Sequence, residues 1–142
     1  MDLSDQERDF LQEHHGAAMI TIGDGGVPKA VRVGIAIIDG EIWSSGRQDR
    51  VRTERLRRDP RCTLFVFDRA YTYLTLETTV TILEGPDVPE QSLQLFRVMQ
   101  GKPTGPLTWY SAELDEEGFR RTMIDEGRVI YRFDVQRAYG LH

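Results

Sequence analysis

VRTERLRRDPRCTLFVFD, residues 51–68, joins a basic segment to an apolar one across a proline, and the predicted fold follows from it. Val51 and Leu56 mark the apolar side of a short helix, and Pro60 ends that helix because proline lacks a backbone N–H. From Arg61 to Asp68 the chain is rich in β-branched and aromatic residues, which is typical of a strand. The stretch therefore predicts a basic helix that leads directly into a buried strand.

Further strand patterns lie on both sides of this stretch. Runs of apolar or alternating residues are separated by turn signals such as GDGG and DG, which predict hairpins. In the second of these runs, Val31 and Val33 share one face while Arg32, Gly34 and Ala36 share the other, which is unusually small. The predicted strands cover 17–22, 28–39, 41–45, 71–83 and 128–135.

Three more helices are predicted at the edges of the strand-rich regions. The segment 4–15 begins with a capping box formed by Ser4 and Glu7, and 89–101 and 114–124 carry apolar residues at helical spacing. Because strands and helices do not alternate regularly, parallel βαβ winding is disfavoured. We predict one mainly β (α+β) domain over residues 1–142, a small antiparallel barrel of five or six strands with peripheral helices.

Positive charge is concentrated in one place. Residues 44–62 hold seven arginines against three acidic residues, a net charge of +4, and because the whole chain carries −5 the remainder carries −9. A sequence pI near 5.2 and the absence of a second basic stripe argue against a nucleic-acid partner. The seven are Arg47, Arg50, Arg52, Arg55, Arg57, Arg58 and Arg61.

A helical wheel indicates which arginines face the protein. With Asp49 as the N-cap, Arg52 and Arg55 fall between Val51 and Leu56 on the inward arc. An inward guanidinium needs a carboxylate, a carbonyl or a bound anion. Each arginine could instead form a surface salt bridge, but for Arg52 the anion is the favoured interpretation. The helix N-terminus and the hydroxyls that end the preceding strand add donors, so we predict a site for a compact phosphate.

Other signals exclude several classes of protein. The single Cys62 lies in an apolar run and has no disulfide partner, and no leader or apolar run of the roughly 20 residues that span a bilayer is present. We therefore expect a cytoplasmic protein with no membrane partner. His14 and His15 point about 100° apart on a helix and cannot clamp one metal. Trp109 and Tyr110 are interpreted as a core or dimer contact, with a substrate pocket as the alternative.

The same stretch carries a family resemblance. VRTERLRRDPRCTLFVFD followed by YLTLETTVTILEGPD resembles the pyridoxamine-phosphate-oxidase-like split β-barrel superfamily, in which [KR]-x-x-N-L-x-x-D-P-R precedes two strands, the second ending near Glu-Gly. RRDPR is its most specific element, and the resemblance is clear from about residue 17 to residue 84. The chain is most similar to small members that bind flavin mononucleotide (FMN) or the deazaflavin coenzyme F420. This implies an FMN-binding-like split β-barrel homodimer with its cofactor at the subunit interface.

The resemblance also implies the cofactor-binding residues. Ser45, Arg50 and Arg52 fall on the phosphate-binding positions, with Arg52 in place of the usual lysine. Arg32 and Gly34 fall on the strand along which the ring system lies.

Two aromatic residues and two departures from the family pattern also bear on the predicted cofactor site. Tyr71 and Tyr73 fall where an aromatic approaches the cofactor across the dimer, with packing in the barrel or interface as the alternative. Arg55 replaces the family asparagine, which suits a polyanionic ligand such as F420 with its oligoglutamate tail, although Arg55 could equally pair with an acid. Thr78 replaces the usual glycine.

The implied function is that of an F420-dependent oxidoreductase, which transfers hydride between F420 and a small organic substrate. An FMN-binding oxidoreductase and a non-catalytic F420 or flavin carrier are the alternatives. No protein acid or base is demanded, because the cofactor carries the chemistry. The C-terminal Arg-x-His element that would hold a pyridoxal product is absent, which argues against vitamin B6 oxidation.

Overall fold

Nine strands and four helices form the part of the chain, residues 2–142, that the computed structural model describes. The helices are α1 (Asp5–Glu13), α2 (Val51–Arg58), α3 (Val88–Gln100) and α4 (Glu116–Asp125). The strands are β1 (Gly16–Ile22), β2 (Pro28–Gly34), β3 (Ala36–Ile38), β4 (Glu41–Arg47), β5 (Arg61–Phe67), β6 (Tyr73–Leu83), β7 (Leu107–Trp109), β8 (Ala112–Leu114) and β9 (Arg128–Leu141).

Seven strands form one antiparallel sheet in the order β2-β1-β5-β6-β9-β4-β3. The two edge strands, β2 and β3, are consecutive in the chain and separated only by Ile35. The sheet must therefore curl until its edges meet, which makes it a barrel. Hydrogen bonds from Ile35 N to His15 O (2.7 Å) and from Ser44 Oγ to Gly34 O (2.7 Å) tie this corner to its neighbours. The predicted split barrel with peripheral helices is confirmed.

The barrel interior is filled by side chains that alternate along the long strands. Met19, Leu64, Leu76 and Tyr131, one from each of four neighbouring strands, are completely buried. This alternation is the period of two that the sequence shows in β5 and β6, because successive side chains of a strand point to opposite faces. The capping box of Ser4 and Glu7 at the start of α1 is also present.

The structure corrects two of the predicted elements. The predicted strand 28–39 is broken at Ile35, where the chain turns the corner between the two sheet edges. The hairpin of β7 and β8 was not predicted, because its strands are three residues long and carry little alternation.

The start of α2 also differs from the prediction. Arg50, and not Asp49, is the N-cap, because the Asp49 carboxylate accepts two 3.1 Å hydrogen bonds from Arg47 instead of capping the helix. Val51 is 62% exposed, so the inward side of α2 is marked by Thr53 and Leu56, both buried.

A buried contact between β4, β9 and α2 fixes where the helix begins. The Tyr131 ring packs so closely against Gly46 that a Cβ at this position would overlap the ring, and only glycine fits. The Tyr131 hydroxyl donates to Thr53 Oγ1 (2.5 Å), and Thr53 Oγ1 donates to Arg47 O (2.6 Å). The first turn of α2 is thus held by the barrel core and by the end of β4.

Two features of the described residues concern membrane spanning and metal binding. None of the helices within residues 2–142 is both long and apolar enough to cross a membrane. In the same part of the chain, no cluster of three or more His, Cys, Asp or Glu side chains is arranged to hold a metal ion.

The pH dependence of stability tests whether the Cys62 thiol is buried in the core. The buried position of this free thiol raises its pKa from 9.0 to about 12. Between these values the unfolded chain loses the proton while the folded chain keeps it, so stability should fall by about 1.4 kcal/mol per pH unit. In urea unfolding between pH 9 and 11, the stability of the wild type should fall more steeply than that of Cys62→Ala, and the difference between the two slopes should approach this value. Parallel profiles of the two proteins would contradict a buried, protonated thiol.

Candidate functional site

The seven arginines of residues 47–61 fall into two groups. Four of them have a carboxylate within 4.0 Å, and such exposed pairs contribute little to stability. Arg50, Arg52 and Arg55 have none among residues 2–142, and they are three of the arginines predicted to bind a cofactor. The four pairs are Arg47–Asp49 (3.1 Å), Arg57–Glu84 (2.5 Å), Arg58–Asp24 (3.2 Å) and Arg61–Asp59 (2.7 Å).

A helical wheel of α2 centred on the buried residues Thr53 and Leu56 relates two of these arginines. Arg52 and Arg57 flank the inward stripe of Thr53 and Leu56, and Arg57 is neutralised by two hydrogen bonds to Glu84. These bonds lower the pKa of Glu84 and raise that of Arg57. Arg52 occupies the equivalent flank on the other side with no carboxylate, so it keeps its charge available for a ligand.

Most of the predicted cofactor-binding residues line two adjoining cavities. The inner cavity, about 380 Å³, is lined by Arg32, Gly34, Ser45, Arg52 and Arg128, with Phe96, Met99 and Gln100 of α3 as one wall. The arginine cavity, about 460 Å³, is lined by Arg47, Arg50, Arg52, Arg55 and Arg128, with Val31, Val51 and Tyr110. Arg52 and Arg128 line both cavities, so the two cavities lie side by side.

Two buried polar atoms of this site have no hydrogen-bond partner in the part of the chain that the structure describes. They are Ser45 Oγ and Arg52 Nε, which both line the inner cavity. An unsatisfied buried donor typically costs about 1–3 kcal/mol, so native structures rarely leave one without a reason. No side chain caps the N-terminus of α2 either. A hydroxyl, a guanidinium N–H and the free N–H groups of a helix are the donors that a phosphate accepts, so these residues fit the phosphate of a flavin-type cofactor.

Arg128 belongs to this site but was not among the predicted residues. It lies directly opposite Arg47 in the β4–β9 register, an arrangement of like charges that is unfavourable unless they are neutralised. Glu126 accepts a 2.7 Å hydrogen bond from Arg128, whose guanidinium also lies 4.9 Å from the Trp109 ring centroid. Burial raises the pKa of Glu126, but the hydrogen bonds from Arg128 and Trp109 outweigh it and the net pKa is lowered. From the sequence, Arg128 could have been identified as a site residue only if the pairing of β4 with β9 had been known.

The small face predicted on the second strand is partly occupied by α3. A Cβ on Gly34 would lie 2.8 Å from Met99 Sδ, and Ala36 is buried beneath the same helix. The open small surface lies instead on the hairpin of β1 and β2. There a third cavity of about 650 Å³, the hairpin cavity, is bounded by Gly16, Ala18, Ala30 and Arg32 among others.

The two predicted tyrosines lie away from the arginines within one chain. Tyr71 is 89% exposed in the loop between β5 and β6 and lines none of the three cavities. Tyr73 is half-buried and packs against Phe65, with ring centroids 5.5 Å apart. The structure therefore brings together Arg32, Gly34, Ser45, Arg50, Arg52 and Arg55, but not Tyr71.

Residues 3–141 match the family model described as pyridoxamine 5′-phosphate oxidase, so the chain belongs to this family, which includes flavin-binding oxidoreductases. A search of curated proteins finds no match.

Solved structures share the fold over nearly the whole chain. A conserved hypothetical protein from Mycobacterium tuberculosis is 26% identical, with a TM-score of 0.75, over 98% of this chain and 84% of its own. A protein described as an F420 reductase is 18% identical, with a TM-score of 0.68, over 96% and 98% of the two chains. A Clostridium acetobutylicum protein related to general stress protein 26, of the pyridoxinephosphate oxidase family, is 16% identical, with a TM-score of 0.66, over 96% and 86%.

The contrast between Arg52 and Arg57 gives a direct test of the site. Arg52→Ala should weaken binding of inorganic pyrophosphate by about ten- to a hundredfold, the effect of losing a charge-assisted hydrogen bond of about 1.5–3 kcal/mol. Arg57→Ala, which removes an arginine already paired with Glu84, should leave it nearly unchanged. Isothermal titration calorimetry measures both. Equal losses in the two variants would mean that the anion binds through general positive charge and not in the inner cavity.

Proposed function

We propose that this protein is an F420-dependent oxidoreductase that transfers hydride between F420 and a small organic substrate. The pairing pattern of the arginines carries the proposal. Among residues 2–142, Arg50, Arg52 and Arg55 have no carboxylate partner. Arg52 Nε and the nearby Ser45 Oγ are also unsatisfied buried donors. Ser45, Arg50 and Arg52 would hold the phosphate, as the family resemblance implies.

The charge of the site favours F420 over FMN. Five guanidinium groups line the arginine cavity, and among residues 2–142 only those of Arg47 and Arg128 have carboxylate partners. Three positive charges remain, more than one phosphate requires. FMN ends at its phosphate, whereas F420 continues into an oligoglutamate tail whose carboxylates could occupy the arginine cavity. A protein described as an F420 reductase is among the structures that share this fold.

The protein's own contribution is binding, orientation and exclusion of water. When bound, the deazaflavin ring supplies the hydride chemistry. The hairpin cavity offers a flat surface of Gly16, Ala18 and Ala30, on which a planar ring can approach the backbone. Arg32 adjoins both the hairpin cavity and the inner cavity and has no carboxylate within 4.0 Å in residues 2–142, so it can orient a ring held between them.

Cofactor titration tests this proposal. F420 should bind more tightly than FMN, and its advantage should shrink as salt rises because partly exposed charge pairs are screened. Fluorescence titration of both cofactors at low and high ionic strength measures this. Tighter binding of FMN would identify FMN, and not F420, as the cofactor. An F420 preference that does not change with salt would contradict the role proposed for the arginines. Tight F420 binding without turnover on enone or quinone acceptors would favour a carrier.

A second copy of this chain is the proposed partner. The outer face of β5, β6 and β9 carries a row formed by Phe67, Tyr73 and Leu141, which lie opposite one another in register. Phe67 and Leu141 are exposed, and Phe65 and Tyr139 continue the apolar surface. Tyr71 follows β5 at the end of this face, and the family resemblance implies that an aromatic there approaches the cofactor of the other subunit.

Disrupting this face should separate the subunits. Phe67→Glu places a charge in the apolar row and should shift the mass in light scattering from about twice 16.3 kDa towards 16.3 kDa. Ile124→Glu changes an equally exposed residue of α4, outside the outer face, and should leave the dimer intact. A wild-type protein of 16.3 kDa at micromolar concentration would contradict the homodimer.

A further inference from the structure

Tyr110 occupies an unfavourable backbone conformation at the tip of a small hairpin. Trp109 and Ala112 form the last pair of the β7–β8 ladder, so Tyr110 and Ser111 make the turn. The φ angle of Tyr110 is 53°, in the left-handed region that asparagine and glycine adopt most readily. A bulky residue held in this region is a strained feature that points to a role for its side chain.

The side chain of Tyr110 lies beside the arginines, and its hydroxyl has no hydrogen-bond partner within the described residues. It is 81% exposed, it borders the arginine cavity, and its hydroxyl forms no hydrogen bond among residues 2–142. It does not border the inner cavity, where Ser45 lies. A tyrosine in this position offers an O–H donor to whatever occupies the cavity of Arg50 and Arg55.

The hairpin that carries Tyr110 is held firmly on the arginine site. The Trp109 ring meets the Tyr110 ring edge-on at 5.4 Å, and it packs against Phe96 and Phe119 in the same manner. Trp109 Nε1 donates to Glu126 (3.1 Å), the residue that also binds Arg128. The position of Tyr110 is therefore set by the residues that set the position of a cavity arginine.

We propose that Tyr110 is a ligand-binding residue whose hydroxyl donates a hydrogen bond to a carboxylate of an oligocarboxylate tail in the arginine cavity. The inference rests on the proposed function, in which Ser45, Arg50 and Arg52 hold the phosphate where the inner cavity and the arginine cavity adjoin. A tail beyond that phosphate extends past Arg50 and Arg55, and Tyr110 is the neutral donor that borders this space. Tyr110 would then help to determine specificity for a tailed cofactor over one that ends at its phosphate.

The test compares the binding affinity of F420 with that of its tail-less form, which keeps the phosphate and the lactyl carboxylate but lacks the glutamates. Tyr110→Phe should weaken binding of full-length F420 about tenfold, the effect of losing a hydrogen bond to a charged group. Binding of the tail-less form should be unchanged. Tyr139→Phe removes the hydroxyl of a residue that lines neither the arginine cavity nor the inner cavity, and it should alter neither affinity.

A second variant separates binding from folding. Tyr110→Asn places a residue that tolerates the left-handed region in the turn, so its melting temperature should be at or above that of the wild type while its affinity for full-length F420 falls. Wild-type affinity in Tyr110→Phe, or equal weakening for both forms of the cofactor, would overturn the role of Tyr110 and leave the proposed function standing. A wild-type protein that binds neither form would overturn both.

Discussion

The contact of Tyr131 with Gly46 and Thr53 joins the barrel to its ligand site. Tyr131 lies in the barrel core, and its hydroxyl holds Thr53 of α2, which in turn holds the last residue of β4. Any side chain at position 46 would push this ring away. Because Arg50 and Arg52 flank the same turn of the helix, the direction of their guanidinium groups depends on an interaction made entirely among buried neighbours. The backbone that carries these two arginines is therefore anchored to the barrel core.

Around this fixed turn, carboxylates decide which arginines remain available. Asp49, Glu84, Asp24 and Asp59 each bind a nearby arginine and leave a subset without partners. A chain with net negative charge can thus present a positive site, because three of these acidic residues neutralise Arg57, Arg58 and Arg61, which line neither cavity. The same logic applies to Glu126, which restrains Arg128 opposite Arg47.

Much of this architecture could be predicted from local sequence. The alternation in β5 and β6, the stop at Pro60 and the capping box of α1 are signals carried by neighbouring residues, and the structure has all three. The corner at Ile35 and the N-cap at Arg50 were missed, because barrel closure and the Arg47–Asp49 pair compete with local preference. Within the site, the cavity position of Arg128 depends on strand register, and the cover that Met99 provides over Gly34 depends on helix packing. Neither can be read from spacing.

The composition of the arginine cavity has a consequence for regulation. Its lining includes five arginines but no lysine or histidine, and the inner cavity likewise has neither. Guanidinium groups keep their proton at every pH a cell encounters, whereas histidine would titrate and lysine could be acetylated. The attraction of this site for anions is therefore constant with respect to cellular acidity and to lysine modification. Occupancy would follow only the supply of ligand and the competing anions of the solution.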